Sequence, residues 1–176
     1  MSALIFIIDT LLSLALFVAL ARLLLQWARA DFRNPIAQAI VRLTNPVILP
    51  LRRILPPVGK VDTASVVAVV LVAIIKVAIL LALRGYSPGW QLWVQGVAVE
   101  LVEALLRTYF YAILLYALLS LIAPGGYSPL QSVLASVCEP VLRPFRRLIP
   151  PIAGIDLSPL WAVIAIQAIL LLLPAI

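Results

Sequence analysis

The chain carries one proline- and arginine-rich block twice, 94 residues apart, and each copy lies between long apolar runs. The copies occupy residues 45–62 and 139–156. Without a gap, their prolines, paired arginines and closing aspartates coincide. Pro46, Pro50, Arg52, Arg53, Pro56, Pro57 and Asp62 fall on Pro140, Pro144, Arg146, Arg147, Pro150, Pro151 and Asp156. Chance does not place so many matching residues in one register. The chain is therefore a tandem duplication, and its fold must be built from one unit used twice.

The apolar runs indicate that this unit crosses a membrane. Of the 176 residues, 65% are hydrophobic, against roughly 45–50% in a soluble domain. A bilayer core about 30 Å thick needs roughly 20 helical residues. Four runs are that long or nearly so, at about 4–25, 63–83, 99–122 and 157–173. We predict an all-α polytopic membrane protein with four transmembrane helices in two parallel tandem repeats, at 1–83 and 99–176, joined by a connection at 84–98.

Composition argues against several kinds of chemistry. The chain has one cysteine, Cys138, and no histidine. An intrachain disulfide and a Cys/His zinc site are therefore impossible, and so are histidine acid–base catalysis and histidine ligation of haem. No phosphate-binding loop or nucleophile elbow is present. We expect no enzyme activity, no metal and no cofactor. The net charge of +6 indicates contact with anionic lipid head groups rather than with nucleic acid.

The basic residues predict the orientation. Nine Lys and Arg side chains lie in the segments 26–62 and 123–156, against one, Arg84, between the second and third runs. Basic loops of membrane proteins stay in the cytoplasm. Both proline blocks are therefore predicted to be cytoplasmic and both termini to be outside.

Each loop is predicted to begin with a short amphipathic helix of about 10 residues. Asn34-Pro35 and Ser128-Pro129 are typical of an N-cap followed by proline at the first helical position. Apolar residues follow with helical spacing: Ile36, Ala39, Ile40 and Leu43, and in the second copy Leu130, Val133, Leu134 and Val137. We expect Pro46 and Pro140 to stop or sharply bend this helix. A second short segment should then carry the arginine pair to the double proline, giving a kinked interfacial element.

Two interpretations of the arginine pairs and the following aspartates remain open. Arg52, Arg53, Arg146 and Arg147 can be positive-inside anchors, with Asp62 and Asp156 as caps of the next helix. Alternatively, the arginines pair with an aspartate of the same or the other repeat and organise a vestibule or a lipid- or partner-binding site.

Asp9, Lys76, Glu103 and Arg107 lie inside the apolar runs. Such groups are costly in a membrane and are functional candidates. Counted along the predicted helices they share one layer in the outer half, and Asp9 and Glu103 are repeat-equivalent. The network can be structural and tie the first three spans together. It can instead line a hydrated cation pathway, or Lys76 and Arg107 can extend to the outer surface.

The doubled Pro-x3-Pro-x-Arg-Arg-x2-Pro-Pro block, each copy ending at an Asp, resembles the YggT family of integral membrane proteins. Asp156-Leu-Ser-Pro159 matches the family's ending, whereas the first copy departs and reads Asp62-Thr-Ala-Ser65. The resemblance implies a protein of the bacterial cytoplasmic membrane linked to osmotic adaptation or potassium homeostasis. It implies as an alternative a membrane scaffold or assembly factor for cell division or membrane-complex maturation. The expected partners are membrane lipids and a second copy or another membrane protein.

Overall fold

The computed structural model describes residues 2–57, 62–122, 128–148 and 156–174. In these ranges the chain forms α-helices and no strand, so the all-α prediction is confirmed. The helices are α1 (Ser2–Trp27), α2 (Pro35–Ile54), α3 (Thr63–Leu83), α4 (Trp90–Ile122), α5 (Pro129–Leu148) and α6 (Ser158–Leu172).

The sequence duplication is visible in the fold. The helices α2 and α5 each have 20 residues, and the offset of 94 relates both their first and their last residues. Within each repeat the three helices contact one another, as α1–α2–α3 and α4–α5–α6. The repeats join through contacts of α4 with α1 and α3, and of α5 with α1 and α2. The loop helices α2 and α5 therefore lie together at one end of the bundle, called here the loop end.

Within the described residues, three helices are long and apolar enough to cross a membrane, namely α1, α3 and α4. The helix α4 has 33 residues and is about 50 Å long. It begins at Trp90, so it takes in most of the segment that we predicted as a connection. The opposite end of the bundle from α2 and α5, called here the far end, contains the start of α1, the end of α3 and the start of α4.

The fourth span is not confirmed. The helix α6 covers 15 residues, or about 22 Å, which is shorter than a bilayer core of about 30 Å. Leu157 is the N-cap residue and Leu173 the C-cap residue, so the predicted run of 157–173 loses one residue at each end.

The loop helix does not stop at Pro46 or Pro140, and the sharp bend that we predicted as the alternative is not confirmed. The helices α2 and α5 run through both internal prolines, Pro46 and Pro50 in α2 and Pro140 and Pro144 in α5. Each pair is four residues apart, so both rings lie on one helix face, and all four prolines are exposed. The backbone bonds that proline removes are therefore lost on the outer face. The double proline Pro56-Pro57 follows the end of α2, whereas Pro150 and Pro151 lie outside the described residues.

The N-cap predicted at Asn34 is confirmed, because the Asn34 side chain accepts a hydrogen bond of 2.9 Å from the Ile36 amide. The buried face of α2 is not the same set of residues as the apolar face of the predicted amphipathic helix. It contains Ala37, Thr44 and Ile48, whereas Leu43 is 70% exposed. In α5 the predicted Val133, Leu134 and Val137 are buried.

The outside of the bundle is apolar. Large hydrophobic side chains such as Phe6, Trp90 and Leu172 are 69%, 75% and 83% exposed. Exposed apolar surface on this scale is not compatible with water around the spanning helices and is typical of contact with lipid.

Candidate functional site: two layers of charge

The far-end layer is centred on Lys76, which is only 7% exposed. Its Nζ lies 2.7 Å from Glu100 Oε1 and 3.2 Å from Asp9 Oδ1. It also donates a hydrogen bond of 2.8 Å to Ser13 Oγ. Because these groups come from α1, α3 and α4, one ammonium joins the first repeat to the second. The Lys76 side chain therefore does not extend to the outer surface, as the third interpretation required.

Glu103 and Arg107 form a separate pair in the same region. Arg107 Nη2 lies 2.6 Å from Glu103 Oε1, one turn apart on α4. Glu103 therefore does not bind Lys76 as the predicted network required; Glu100 does. Glu100 is not among the predicted residues, because the repeat register pairs Asp9 with Glu103. An acidic residue three positions before Glu103 lies near the same helix face and was the available signal.

The residues around Lys76 and the Glu103–Arg107 pair line one cavity of about 530 Å³ between α1 and α4. Its polar lining consists of Asp9, Thr10, Ser13, Lys76, Glu100, Glu103, Arg107, Thr108 and Tyr111. The Asp9 and Arg107 side chains are 46% and 59% exposed, so the cavity opens at the surface. Three carboxylates face two basic groups there, which leaves an excess of one negative charge when all are ionised.

The loop-end layer contains the repeated arginines and aspartates, and in each repeat the first arginine pairs with the aspartate of its own copy. In the first repeat Arg52 Nη2 lies 2.6 Å from Asp62 Oδ2, and Nε approaches both carboxylate oxygens. Ser65 donates a further bond of 2.6 Å to Asp62. Burial opposes ionisation of Asp62, but the bonds from Arg52 and Ser65 and the arginine charges outweigh it and lower the pKa of this carboxyl.

The second repeat makes the same pair in a more exposed setting. Arg146 Nε lies 2.8 Å from Asp156 Oδ2, and the Asp156 side chain is 41% exposed, against 2% for Asp62. Arg146 also pairs with Glu139 and donates a bond of 3.4 Å to the Tyr116 hydroxyl. Burial again opposes ionisation of Asp156, and bonds from Ser158 and Arg146 outweigh it, so its pKa is lowered.

The two aspartates differ as caps. Asp62 occupies the N-cap position of α3, but its side chain makes no capping hydrogen bond, because the carboxylate is bound to Arg52 and Ser65. Asp156 does accept a bond of 2.9 Å from the Ser158 amide. The predicted cap is therefore wrong in detail for Asp62. The second arginines, Arg53 and Arg147, are exposed and make no ion pair with any described residue.

Arg22 is a buried residue of this layer that sequence reasoning missed. It lies in α1 and is 4% exposed. Its Nη1 donates to Thr44 Oγ1 at 2.6 Å, to Asn45 Oδ1 at 2.9 Å and to the Val41 carbonyl at 3.2 Å. The available signal was a charged residue inside an apolar run, in the turn before the end of the first span.

The fold and the two layers of charge indicate which class of protein this is. The bundle has an apolar exterior, helices of membrane-spanning length and two layers of charge, which is the architecture of a membrane protein built from a duplicated unit. The chain belongs to the CCB3/YggT family, whose sequence model matches residues 1–83 and 96–176. The two matched segments fit the two tandem repeats.

Curated relatives cover nearly the whole chain. An uncharacterised protein of Pseudomonas aeruginosa is 41% identical over 171 residues, which is 96% of this chain and 86% of the relative. The uncharacterised protein YggT of Escherichia coli K12 is 36% identical, over 96% of this chain and 88% of the relative. A protein from the proC 3′ region of Vibrio alginolyticus is 40% identical, with 95% and 91% covered. No solved structure matches the chain.

Proposed function

We propose that this protein is an integral protein of the bacterial cytoplasmic membrane that handles monovalent cations, with potassium homeostasis during osmotic adaptation as its role. The supporting observation is the far-end cavity, in which Asp9, Glu100 and Glu103 face Lys76 and Arg107. In a low-dielectric setting the one unbalanced negative charge favours entry of one monovalent cation. We propose no catalytic activity.

The proposed topology gives the cavity a direction. Four spans, with α6 crossing beside α4, place both loop helices in the cytoplasm and both termini outside, in agreement with the nine-to-one distribution of basic residues. The far-end cavity then opens toward the outer half of the membrane. Arg53 and Arg147 at the loop end would meet anionic head groups.

The arrangement favours a hydrated pathway over a tight binding site. Across the described ranges, no group of three or more acidic or thiol side chains is placed to hold a metal ion. Asp9 and Glu100 meet at Lys76, whereas Glu103 pairs with Arg107, so the three carboxylates do not converge on one point. Weak, distributed attraction of this kind suits an ion that must also leave. Since two short helix hairpins enclose little space, we propose that a second copy of the chain completes the pathway.

Cation flux into proteoliposomes tests this proposal. We expect the wild-type protein to conduct potassium, and Asp9→Asn and Glu103→Gln each to reduce the flux by about tenfold or more, because each removes a cation-attracting charge. The matched control is Asp31→Asn, which makes the same chemical change in the loop between α1 and α2, where Asp31 accepts a bond from the Arg33 amide. No flux from correctly inserted protein, or equal losses in the control, would rule the proposal out.

One observation favours a scaffold as the second candidate. The loop helices lie in contact, and Asn34 Nδ2 donates a bond of 2.7 Å to the Pro129 carbonyl, which joins their first turns. Arg53 and Arg147 lie in the last turns of these two helices and are exposed, and we propose that another membrane protein binds them. If the scaffold is the function, a strain with the charges of these two arginines reversed should behave like a strain that lacks the protein. A strain with Asp9→Asn should behave like the wild type.

A further inference from the structure

A second cavity, at the loop end of the first repeat, has the chemistry of an anion site. It has a volume of about 260 Å³ and is lined by Arg22, Gln26, Phe32, Val41 and Arg52. We propose that it binds one phosphate-type oxyanion, either the phosphate of an anionic lipid head group or free inorganic phosphate. This binding site is independent of the proposed cation pathway.

Arg22 is positioned to bind a ligand. Its hydrogen bonds all leave from Nη1, and its other two guanidinium nitrogens make no hydrogen bond to the described residues. No described carboxylate lies within ion-pair distance of Arg22. A guanidinium that is 4% exposed and has no direct counter-charge is unfavourable. An oxyanion in the adjoining cavity would supply the charge and accept the remaining donors in the forked geometry that arginine prefers.

The local charge balance also favours an anion. Arg52 lines the same cavity, and its side chain remains 42% exposed while it binds Asp62. Arg22, Arg52 and Asp62 therefore form a cluster of two guanidinium groups and one carboxylate, with a net positive charge of one. A monovalent oxyanion would neutralise it.

The second repeat provides a natural comparison, because the same positions there have the opposite charge balance. At the offset of 94, Arg22 corresponds to Tyr116 and Asn45 corresponds to Glu139. Arg146 binds Tyr116, Glu139 and Asp156. That cluster has one guanidinium group and two carboxylates, and hence a net negative charge of one. The same fold unit therefore favours an anion in one repeat and disfavours it in the other.

The depth of the cavity suits a lipid phosphate. Arg22 lies five residues before the end of α1 at Trp27, or about 8 Å along the helix axis. Phe32, at the cavity, is 44% exposed. An anionic lipid beside α1 and α2 could thus place its head group against Arg22 while its chains stay along the apolar exterior.

Native mass spectrometry of delipidated protein in detergent, titrated with dioleoylphosphatidylglycerol, tests the proposal. We expect one high-affinity lipid per chain, with Arg22→Gln weakening this binding by at least tenfold, since a charge-assisted bidentate contact is lost. Glutamine can still donate to Thr44 and Asn45, which limits damage to the fold. A parallel calorimetric titration with inorganic phosphate, without lipid, distinguishes the two sources of the phosphate group.

A gain-of-binding variant keeps the test decisive if Arg22→Gln fails to fold. Tyr116→Arg combined with Glu139→Asn gives the second repeat the charges of the first at the two positions that set the charge balance, and we expect it to add a second site for the same probe. Binding of phosphate alone with the same dependence on Arg22 would identify the free ion as the ligand. The proposal is overturned if neither probe binds the wild-type protein, if binding is unchanged by Arg22→Gln, or if the double variant adds no site.

Discussion

Replacing Lys76 by methionine should destabilise the folded protein by about 3–5 kcal/mol, the typical result of removing one partner from a buried ion pair. Lys76 is 7% exposed and bridges Asp9 and Glu100. Methionine retains much of the side-chain length but leaves two carboxylates facing each other without a cation. The three helices that meet there should separate more readily. Unfolding of detergent-solubilised protein in increasing SDS, followed by circular dichroism, measures the effect.

Two variants serve as controls for this result. Arg107→Met removes a cation from the same cavity, but its partner Glu103 is on the same helix and Arg107 is 59% exposed, so we expect a loss of about 0.5 kcal/mol or less. Adding Glu100→Gln to Lys76→Met should restore part of the lost stability, because it removes one of the unpaired charges. Equal effects of Lys76→Met and Arg107→Met would contradict the central position of Lys76.

The second large effect is expected at Asp62. Asp62→Asn should reduce stability by about 3 kcal/mol, because the carboxylate is 2% exposed and binds Arg52 through two nitrogens. Its loss leaves Arg22 and Arg52 without a negative charge between them. The equivalent Asp156→Asn should cost about 1 kcal/mol or less, since Asp156 is 41% exposed. The same SDS unfolding measurement compares the two. A larger loss at Asp156 would show that the repeats are not asymmetric in this way.

Stability should also depend on pH through Asp62. Its pKa is lowered in the folded state, whereas an unfolded aspartate titrates near pH 4. The ion pair therefore contributes fully above that pH, and its contribution is lost as the pH falls through the lower folded value. Asp62→Asn should show a weaker loss of stability on acidification than the wild type. Parallel curves for the two proteins would contradict this assignment.

Much of the fold could be predicted from local sequence signals. Hydrophobic run length gave the positions of α1 and α3, and the duplicated block correctly indicated two like repeats. The N-cap at Asn34 followed from the Asn-Pro pair and the apolar spacing after it. These features depend on nearest neighbours along the chain, so one sequence is enough to find them.

The features that the sequence did not predict are those that depend on tertiary packing. Pro46 is compatible with a continuous α2 because its ring lies on the exposed face, and the sequence does not say which face that is. Leu43 belongs to the apolar face of the predicted amphipathic helix and is 70% exposed, because in a membrane protein an apolar residue is equally suited to face lipid. The choice of Glu100 over Glu103 as the partner of Lys76 depends on how α4 is rotated against α3. The hydrogen bonds of Arg22 go to residues of α2, which only the folded chain brings near.

The proposed topology requires the two repeats to have the same orientation in the membrane. Cysteine labelling with a membrane-impermeant maleimide tests it directly, using Arg53→Cys, Arg147→Cys and Gln91→Cys. The first two positions are exposed at the loop end, and Gln91 is exposed at the start of α4. The native Cys138 should not react, because burial outweighs the effect of Arg146 and raises the pKa of its thiol to about 12. We expect Arg53→Cys and Arg147→Cys to label only in inside-out vesicles and Gln91→Cys only in intact spheroplasts. Labelling of positions 53 and 147 from opposite sides would contradict the account.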